Sequence, residues 1–401
     1  MIANPTRLPS LDCLRGFAIL GILLINIRAF AHVSTAYVNP TVAGPFEGAD
    51  FWVWFVTHVV AEYKFMPLLA ALFGAGIVIQ WERLAAAGED SGAIHRRRML
   101  SLAIIGFLHL TLLWYGDILL LYAILGLIAH RFRHQSPQRL FGWAFLLYLV
   151  PTLFALLMTA VLHAIPEAQY EELVTTIWAP GAEMVTAEVE AYRGGWVAQF
   201  HHRLNTLIQG YLWGMLTEEG WRVLAMMLAG MALYRAGFFS GHWPLSPYRR
   251  LMVLGLGLGI PLSQWGVLHN LTHEWEMRES LYLGRQFNLW AGPLVALGWA
   301  CMLMIVLRQG WLRGLMSRLE ALGRMALTGY LASTLAGTLI FYGVGLGLFA
   351  SVDRAGQLLI AAGIGLFLLV AAPVWLRFFR MGPAEWLWRW ASYGQRSGLR
   401  R

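Results

Sequence analysis

Nine long apolar runs, separated by loops that are alternately rich and poor in arginine, constrain the fold of this chain most strongly. The runs occupy residues 14–27, 99–115, 118–129, 140–165, 223–239, 251–268, 289–307, 325–350 and 358–379. Runs of roughly twenty apolar residues match the hydrocarbon thickness of a bilayer, and a soluble core does not need so many of them. The sequence therefore predicts an all-α fold, a polytopic bundle of transmembrane helices.

The composition is also that of a membrane protein. Hydrophobic residues make up 58% of the chain and charged residues only 13%, whereas roughly a quarter of a soluble domain is charged. The net charge of +8 could indicate a nucleic-acid partner. The arginines, however, lie in loops at the ends of the apolar runs rather than on one basic face, so we expect the lipid bilayer as the partner and no nucleic acid.

The distribution of arginine predicts the orientation, because positive charges of membrane proteins concentrate in cytoplasmic loops. The arginine-rich segments are 82–98, 130–139, 235–250, 308–324 and the tail from 377. The segments between them, 32–50, 115–117 and 166–205, carry few or no positive charges, and the last is acidic. This alternation predicts about ten spans with both termini in the cytoplasm.

One apolar stretch does not fit a single straight span. Residues 51–81 are too long for one perpendicular helix and short for two, at about 1.5 Å per residue. The parity of the arginine pattern requires one crossing, so we predict a helix that is broken near Lys64–Pro67.

The chain divides by composition into three parts. Residues 1–165 are predicted to form an N-terminal transmembrane bundle, and residues 166–217 an acidic and then aromatic segment on the outer face, partly an interfacial helix. Residues 218–401 are predicted to form a C-terminal transmembrane region.

Asp12 and Arg15 lie three residues apart at the start of the first run. Asp12 can cap the helix while Arg15 anchors it at the inner membrane face. Alternatively, Arg15 faces the bundle and binds an anionic group such as a phosphate. Asn26, three turns further along, is costly in lipid and should face protein.

A second polar group lies in the runs 99–115 and 118–129. His109 falls inside an apolar helix, Asp117 opens the next one, and Tyr122 follows a turn later. Asp117 can be a helix N-cap, and His109 can be a core histidine bonded to a carbonyl oxygen. Alternatively, His109 is a general base that Asp117 orients. A separation of eight residues does not decide whether the two side chains touch.

Glu62 and Lys64 lie in the middle of the stretch that we predict to be broken. They are two residues apart, so they point to different faces of a regular helix and cannot pair directly. Each therefore has another partner or reaches water, and an ion inside the membrane is by default a candidate for substrate binding.

The histidines offer little sign of a metal site. His201, His202, His269 and His273 fall on the predicted outer side. No compact ligand spacing supports coordination by this set, and the sequence predicts no metal centre and no bound cofactor.

Several of these residues resemble one bacterial family. The opening Leu-Asp-Cys-Leu-Arg-Gly-Phe-Ala at 11–18, Lys64-Phe65, His109 with Gly116-Asp117, and Gly323-Arg324-Met325-Ala326-Leu327-Thr328 resemble the YeiB-like inner-membrane proteins, whose C-terminal half is a domain of unknown function. The opening is also similar to that of transmembrane acyltransferases, which move an acyl group from cytoplasmic acyl-CoA to an acceptor on the far side. One group of these enzymes has a histidine where this chain has Asn26.

The resemblance implies a multi-pass protein of the bacterial inner membrane and favours an acyltransferase. Acyl-CoA would be the co-substrate, and the acceptor a small molecule, a lipid or a glycan. In this hypothesis His109 and Asp117 are catalytic, while Arg15, Asn26, Glu62, Lys64 and Tyr122 bind substrate. The alternative is a transporter or lipid-handling carrier without acyl transfer, which the intramembrane charges motivate. A scaffold or sensor that docks through its arginine-rich tail is a third possibility.

Overall fold

The computed structural model describes residues 8–44, 46–206, 210–394 and 398–399, and these residues contain helices and turns but no β-strand. Within the part of the chain that the structure describes, six helical stretches are long and apolar enough to cross a membrane: Pro9–Ala31, Gly48–Ala86, Pro137–Ala164, Leu245–Thr272, Met277–Gln309 and Arg354–Phe378. The predictions of an all-α fold and of a membrane protein are confirmed. Four predicted inner-side arginines, Arg7, Arg396, Arg400 and Arg401, lie outside the described residues.

The helices follow one another with short connections. In the first half they are α1 (Pro9–Ala31), α2 (Gly48–Val60), α3 (Phe65–Ala86), α4 (Ser91–Leu108), α5 (Leu119–Ala129), α6 (Pro137–Ala164), α7 (Glu167–Leu173), α8 (Ala182–Arg193) and α9 (Trp196–Thr206). In the second half they are α10 (Leu212–Gly214), α11 (Gly220–Arg235), α12 (Leu245–Thr272), α13 (Met277–Glu279), α14 (Arg285–Gln309), α15 (Arg313–Arg324), α16 (Ala326–Phe341), α17 (Arg354–Phe378) and α18 (Pro383–Tyr393).

The N-terminal helix lies at the centre of the bundle. α1 packs against α3, α15, α16 and α17, so the two predicted transmembrane regions share one core. The predicted boundary at 217 falls inside a helical stretch, because the π-helical turn Met215–Glu219 leads directly into α11.

Glycines let the backbones of neighbouring helices touch. A Cβ atom built on Gly16 of α1 would lie 2.0 Å from the carbonyl oxygen of Leu319 in α15. A Cβ on Gly230 of α11 would lie 1.8 Å from the carbonyl oxygen of Ala71 in α3. Small residues at such crossings favour helix association in membranes, where apolar surface alone gives little driving force.

We expect Gly230→Ala to destabilise the fold, since its methyl group would overlap backbone that cannot rotate away. Overpacking of this kind typically costs about 1–3 kcal/mol. The midpoint of thermal unfolding in detergent measures the effect. Gly257→Ala in α12 is the matched control, because nothing lies within 4 Å of its built Cβ. Equal midpoints for the two variants would contradict the tight α3–α11 crossing.

The predicted break within residues 51–81 is present, although it precedes Pro67. α2 ends at Val60 and α3 begins at Phe65, with Tyr63 in the left-handed region at φ +61°. Pro67 lies in the first turn of α3, where a missing N–H disrupts no helical hydrogen bond. The left-handed residue, rather than the proline, therefore marks the break.

Helices α8 and α9 cover the end of the bundle where α4 and α5 meet. The guanidinium of Arg203 in α9 is buried and donates to the carbonyl oxygens of Thr111 at 3.2 Å and Leu112 at 3.1 Å. These carbonyls belong to the last helical turn after α4, where helical partners are missing, and Nε1 of Trp196 also donates to Leu112 at 3.0 Å. Helix α9 is thus fixed to the hairpin that carries His109 and Asp117.

Candidate functional site

A large cavity enters the bundle at the end where α1 begins and α3 and α15 end, which we call the arginine-rich end. Its volume is about 1080 Å³. Among the described residues, six arginines line it: Arg15, Arg83, Arg98, Arg324, Arg380 and Arg389. Three lining carboxylates, Asp12, Glu89 and Glu385, oppose them. The excess of guanidinium groups makes this entrance suitable for an anion with several charges, such as a phosphorylated ligand.

The lining becomes apolar further along the helices. Leu69, Phe73 and Leu102 line the cavity together with two tyrosines, Tyr122 and Tyr330. The Tyr122 hydroxyl donates to the carbonyl oxygen of Met66 at 3.1 Å, and that of Tyr330 to the carbonyl oxygen of Gly116 at 3.2 Å. Tyr122, a predicted binding residue, therefore lines the cavity with its hydroxyl already bonded.

Directly behind Tyr330 lies a buried chain of three polar side chains. Nδ1 of His109 is 2.8 Å from Oδ1 of Asp117, and Nε2 of His109 is 3.1 Å from Oγ1 of Thr334. The rings of His109 and Tyr330 are 5.2 Å apart. A carboxylate on Nδ1 selects the tautomer whose Nε2 accepts a proton, so Nε2 is the basic atom and Thr334 donates to it.

The fold of the α4–α5 hairpin holds this pair together. After α4 the chain forms a π-helical turn at His109–Leu113, an arrangement frequent at functional sites. A Cβ on Gly106 would lie 2.3 Å from the backbone nitrogen of Leu120, so the glycine allows α4 and α5 to cross closely. The other oxygen of Asp117 accepts from the Leu120 N–H at 2.7 Å. Asp117 is thus both a helix cap and the orienting partner of His109.

Arg15 faces the bundle, as expected if it is available to bind an anionic group rather than to anchor the helix at the membrane surface. Its Nη1 is 3.1 Å from Oδ1 of Asp12, and both residues line the cavity. Asp12 is not the N-cap, because α1 begins at Pro9 and Leu8 precedes it. Asn26 lies on the same helix, is only half-buried and does not line this cavity.

Glu62 and Lys64 are buried outside this cavity, each with its own partners. Glu62 accepts from Nη1 of Arg28 at 2.8 Å and lies 2.9 Å from Nδ1 of His58. Lys64 donates to the carbonyl oxygen of His58 and to the side chains of Ser263 and Asn288. The two predicted binding residues therefore form a separate buried cluster at the break between α2 and α3.

Glu385 connects the cavity to the start of α16. Its carboxylate accepts from the backbone N–H groups of Leu327 at 2.7 Å and Thr328 at 3.1 Å. Burial raises the pKa of this carboxyl, and the hydrogen bonds from Thr328 oppose the rise. Two of the free N–H groups at the start of α16 therefore already have a hydrogen-bond acceptor, the carboxylate of Glu385.

Sequence reasoning did not identify Thr334, Arg28 or His58 as members of polar clusters. Thr334 lies one turn after Tyr330 on α16. Its spacing of four residues from Tyr330 places both side chains on one helix face, and this is the signal that could have identified it. Arg28 ends the first apolar run and His58 precedes Glu62 by four residues. An arginine and a histidine in apolar segments require partners inside the bundle, which is the corresponding signal.

One family model and several curated proteins match this chain. Residues 233–395 match the family model described as "Protein of unknown function (DUF418)". The chain is 34% identical to uncharacterized protein YeiB of Escherichia coli over 95% of this chain and 94% of YeiB. It is 30% identical to uncharacterized protein YxaH of Bacillus subtilis over 96% of this chain and 94% of YxaH. No solved structure matches it.

Proposed function

This chain belongs to the YeiB family of membrane proteins, and on that premise we propose that it is an acyltransferase. It moves an acyl group from cytoplasmic acyl-CoA to an acceptor that arrives from the opposite face. The observation that carries the proposal is one cavity that joins the arginines to Tyr330, whose ring lies against the His109–Asp117 pair.

The proposal includes an orientation in the bacterial inner membrane. Ten crossings are made by α1, the broken α2–α3 pair, α4, α5, α6, α11, α12, α14, α16 and α17. The arginine-rich end then faces the cytoplasm, as the positive-inside rule favours, and both termini lie there. α8 and α9 cover the outer end.

The size and polarity of the cavity suit an acyl-CoA. Its phosphate groups would lie among the arginines of the entrance, where bidentate contacts to guanidinium groups are strongest. The acyl end would extend along Leu69 and Phe73 toward Tyr330. A thioester placed there lies next to Tyr330, whose ring centroid is 5.2 Å from that of His109.

The chemistry needs one base and no electron transfer. The acceptor hydroxyl or amine attacks the thioester carbonyl carbon and gives its proton to Nε2 of His109, while Asp117 holds the Nδ1 proton. The new bond to the acyl carbon forms, the carbon–sulfur bond breaks, and the CoA thiolate takes the proton from His109. The acceptor replaces Thr334 as the donor to Nε2.

Radiolabelled acyl-CoA supplied to inside-out vesicles tests the proposal, because the arginine-rich end is then on the outside. Transfer of label to vesicle material, with release of free CoA thiol, is the expected result. If vesicles with the protein neither bind CoA nor release more thiol than vesicles without it, the proposal is wrong.

We expect Arg15→Ala to weaken use of the acyl donor. Loss of one charged hydrogen bond to a phosphate is worth about 1.5–3 kcal/mol, so the KM for acyl-CoA should rise by about tenfold or more. Arg131→Ala removes the same charge from an exposed position outside the cavity and is the control. An equal KM in both variants would exclude Arg15 from donor binding.

A transporter or lipid-handling carrier remains the second candidate, because a buried charged cluster lies outside the cavity. Glu62, Arg28 and Lys64 serve no step of acyl transfer, and buried ions at helix breaks are typical of transporters. Uptake of a labelled substrate into liposomes without any acyl donor would favour this function, particularly if Glu62→Gln abolished uptake and left vesicle acyl transfer unchanged.

A further inference from the structure

A cluster of histidines lies far from the cavity, where α6 and α12 end and α13 begins. His269 and His273 are four residues apart at the end of α12, and Glu279 ends α13. One ligand atom from each of these three residues can be chosen so that all lie within 4.8 Å of one another. His163, near the end of α6, approaches the same carboxylate. From this geometry we infer a binding site for a divalent transition metal, best suited to Zn²⁺, with His269, His273 and Glu279 as ligands.

One separation between ligand atoms matches the edge of a coordination tetrahedron. Zinc binds imidazole nitrogen and carboxylate oxygen at about 2.0–2.2 Å, so neighbouring ligand atoms in a tetrahedron lie about 3.4 Å apart. Nε2 of His269 is 3.5 Å from Oε2 of Glu279. This separation is long for a hydrogen bond and close to the edge that a shared cation requires.

The surroundings of the buried Nε2 of His269 favour a metal ligand over a partner in a simple ion pair. Its Nε2 makes no hydrogen bond with any described residue, although it is enclosed by protein. Its ring packs 4.4 Å from that of His273 and 5.5 Å from that of Phe287. Buried polar atoms normally have a partner. A metal ion between the two residues would explain why this buried nitrogen faces a carboxylate without a hydrogen bond.

The hydrogen bonds around the cluster select the tautomers that ligation needs. Nδ1 of His273 is 2.8 Å from the carbonyl oxygen of His269, and donation there leaves Nε2 of His273 free of a proton. His163 reaches the same carboxylate from α6: its Nδ1 lies 2.9 Å from the carbonyl oxygen of Thr159, and its Nε2 lies 3.2 Å from Oε1 of Glu279. The form that carries a proton on Nε2 donates to the carboxylate and orients it.

The donor set decides which metal class the site takes. Two imidazoles and one carboxylate suit zinc and similar divalent metals, whereas Ca²⁺ and Mg²⁺ prefer oxygen ligands alone. Three protein ligands leave a fourth position for water. The site joins the end of α12 to the turn before α14, so a bound ion would brace that end of the bundle.

Zinc binding to the full-length protein purified without a histidine tag tests the inference. We expect one equivalent of zinc per chain in wild type and in His242→Ala, which removes an exposed histidine elsewhere. We expect His269→Ala to lose that equivalent. His163→Ala should keep it with an affinity reduced by about 10–100-fold, as for other residues that orient a metal ligand.

Glu279→Gln provides a second test that does not depend on how well the histidine variants fold, because it keeps the size of the side chain. Its thermal midpoint without metal should equal that of wild type, while the rise in midpoint that zinc causes in wild type should disappear. Tetrahedral absorption bands of bound Co²⁺ in wild type would support the geometry. No zinc uptake by wild type, or uptake unchanged in His269→Ala and Glu279→Gln, would show that the cluster holds ion pairs only.

Discussion

Replacement of His109 by alanine is expected to reduce the rate of acyl transfer by a factor of about 10²–10⁴, the usual contribution of a positioned general base. His109 is buried with Asp117 on one ring nitrogen and Thr334 on the other. Among the described residues no histidine lines the cavity itself, and His109 is the histidine whose ring contacts Tyr330. The release of CoA thiol from acyl-CoA in vesicles measures the effect.

The loss of activity must be distinguished from unfolding, since His109→Ala removes the imidazole that pairs with the buried Asp117 carboxylate. His109→Gln can still donate to Asp117 but cannot accept the proton, so it should fold normally and stay inactive. His242→Ala is the matched histidine control, because that side chain is exposed and lies outside the cavity. Full activity in His109→Gln would remove this residue from the mechanism.

Replacement of Glu62 by alanine is expected to be among the most destabilising single changes in the chain. The carboxylate is buried with the Arg28 guanidinium 2.8 Å away, and removal of one partner leaves an uncompensated charge in the bundle. Breaking a buried pair in this way typically costs about 3–5 kcal/mol. The thermal midpoint in detergent, followed by tryptophan fluorescence, should fall sharply.

A double variant distinguishes destabilisation by an unpaired buried charge from destabilisation by lost packing. Replacing both Arg28 and Glu62 by leucine removes the two charges together, and such replacements are often nearly neutral. The double variant should therefore recover much of the stability that Glu62→Ala loses. Glu183→Ala, which changes an exposed carboxylate on α8, is the control. A midpoint for Glu62→Ala equal to that control would contradict the buried pair.

Local patterns in the sequence predict the helices well. The apolar runs around α1, α6, α12, α14 and α17 each became a long helix, because a segment in hydrocarbon must satisfy its backbone groups within itself. The break near Lys64–Pro67 was also foreseen, from the length of the stretch and from Pro67. Its exact cause, left-handed Tyr63, was not, since an aromatic residue gives no local signal for that conformation.

The contents of the site were only partly predictable. The residues His109 and Asp117 could be chosen from sequence, because a histidine and a carboxylate in apolar runs need partners. Their contact could not, since it depends on the close α4–α5 crossing at Gly106. The sequence also suggested that Glu62 and Lys64 share the substrate site with Arg15, and the structure places them in a different cluster. The grouping of Glu279 with His269 and His273 depends in the same way on how the chain turns between α12 and α13.

The sequence by itself determined that the chain is a membrane protein made of helices and which of its polar side chains lie within apolar segments. Both follow from the energy of transferring individual residues and peptide groups out of water, which depends on local composition. Only the tertiary structure decided which polar groups meet: His109 with Thr334, 225 residues apart, and Arg28 with Glu62, 34 residues apart. Such pairs are set by how helices cross, and the crossings depend on the packing of many side chains at once.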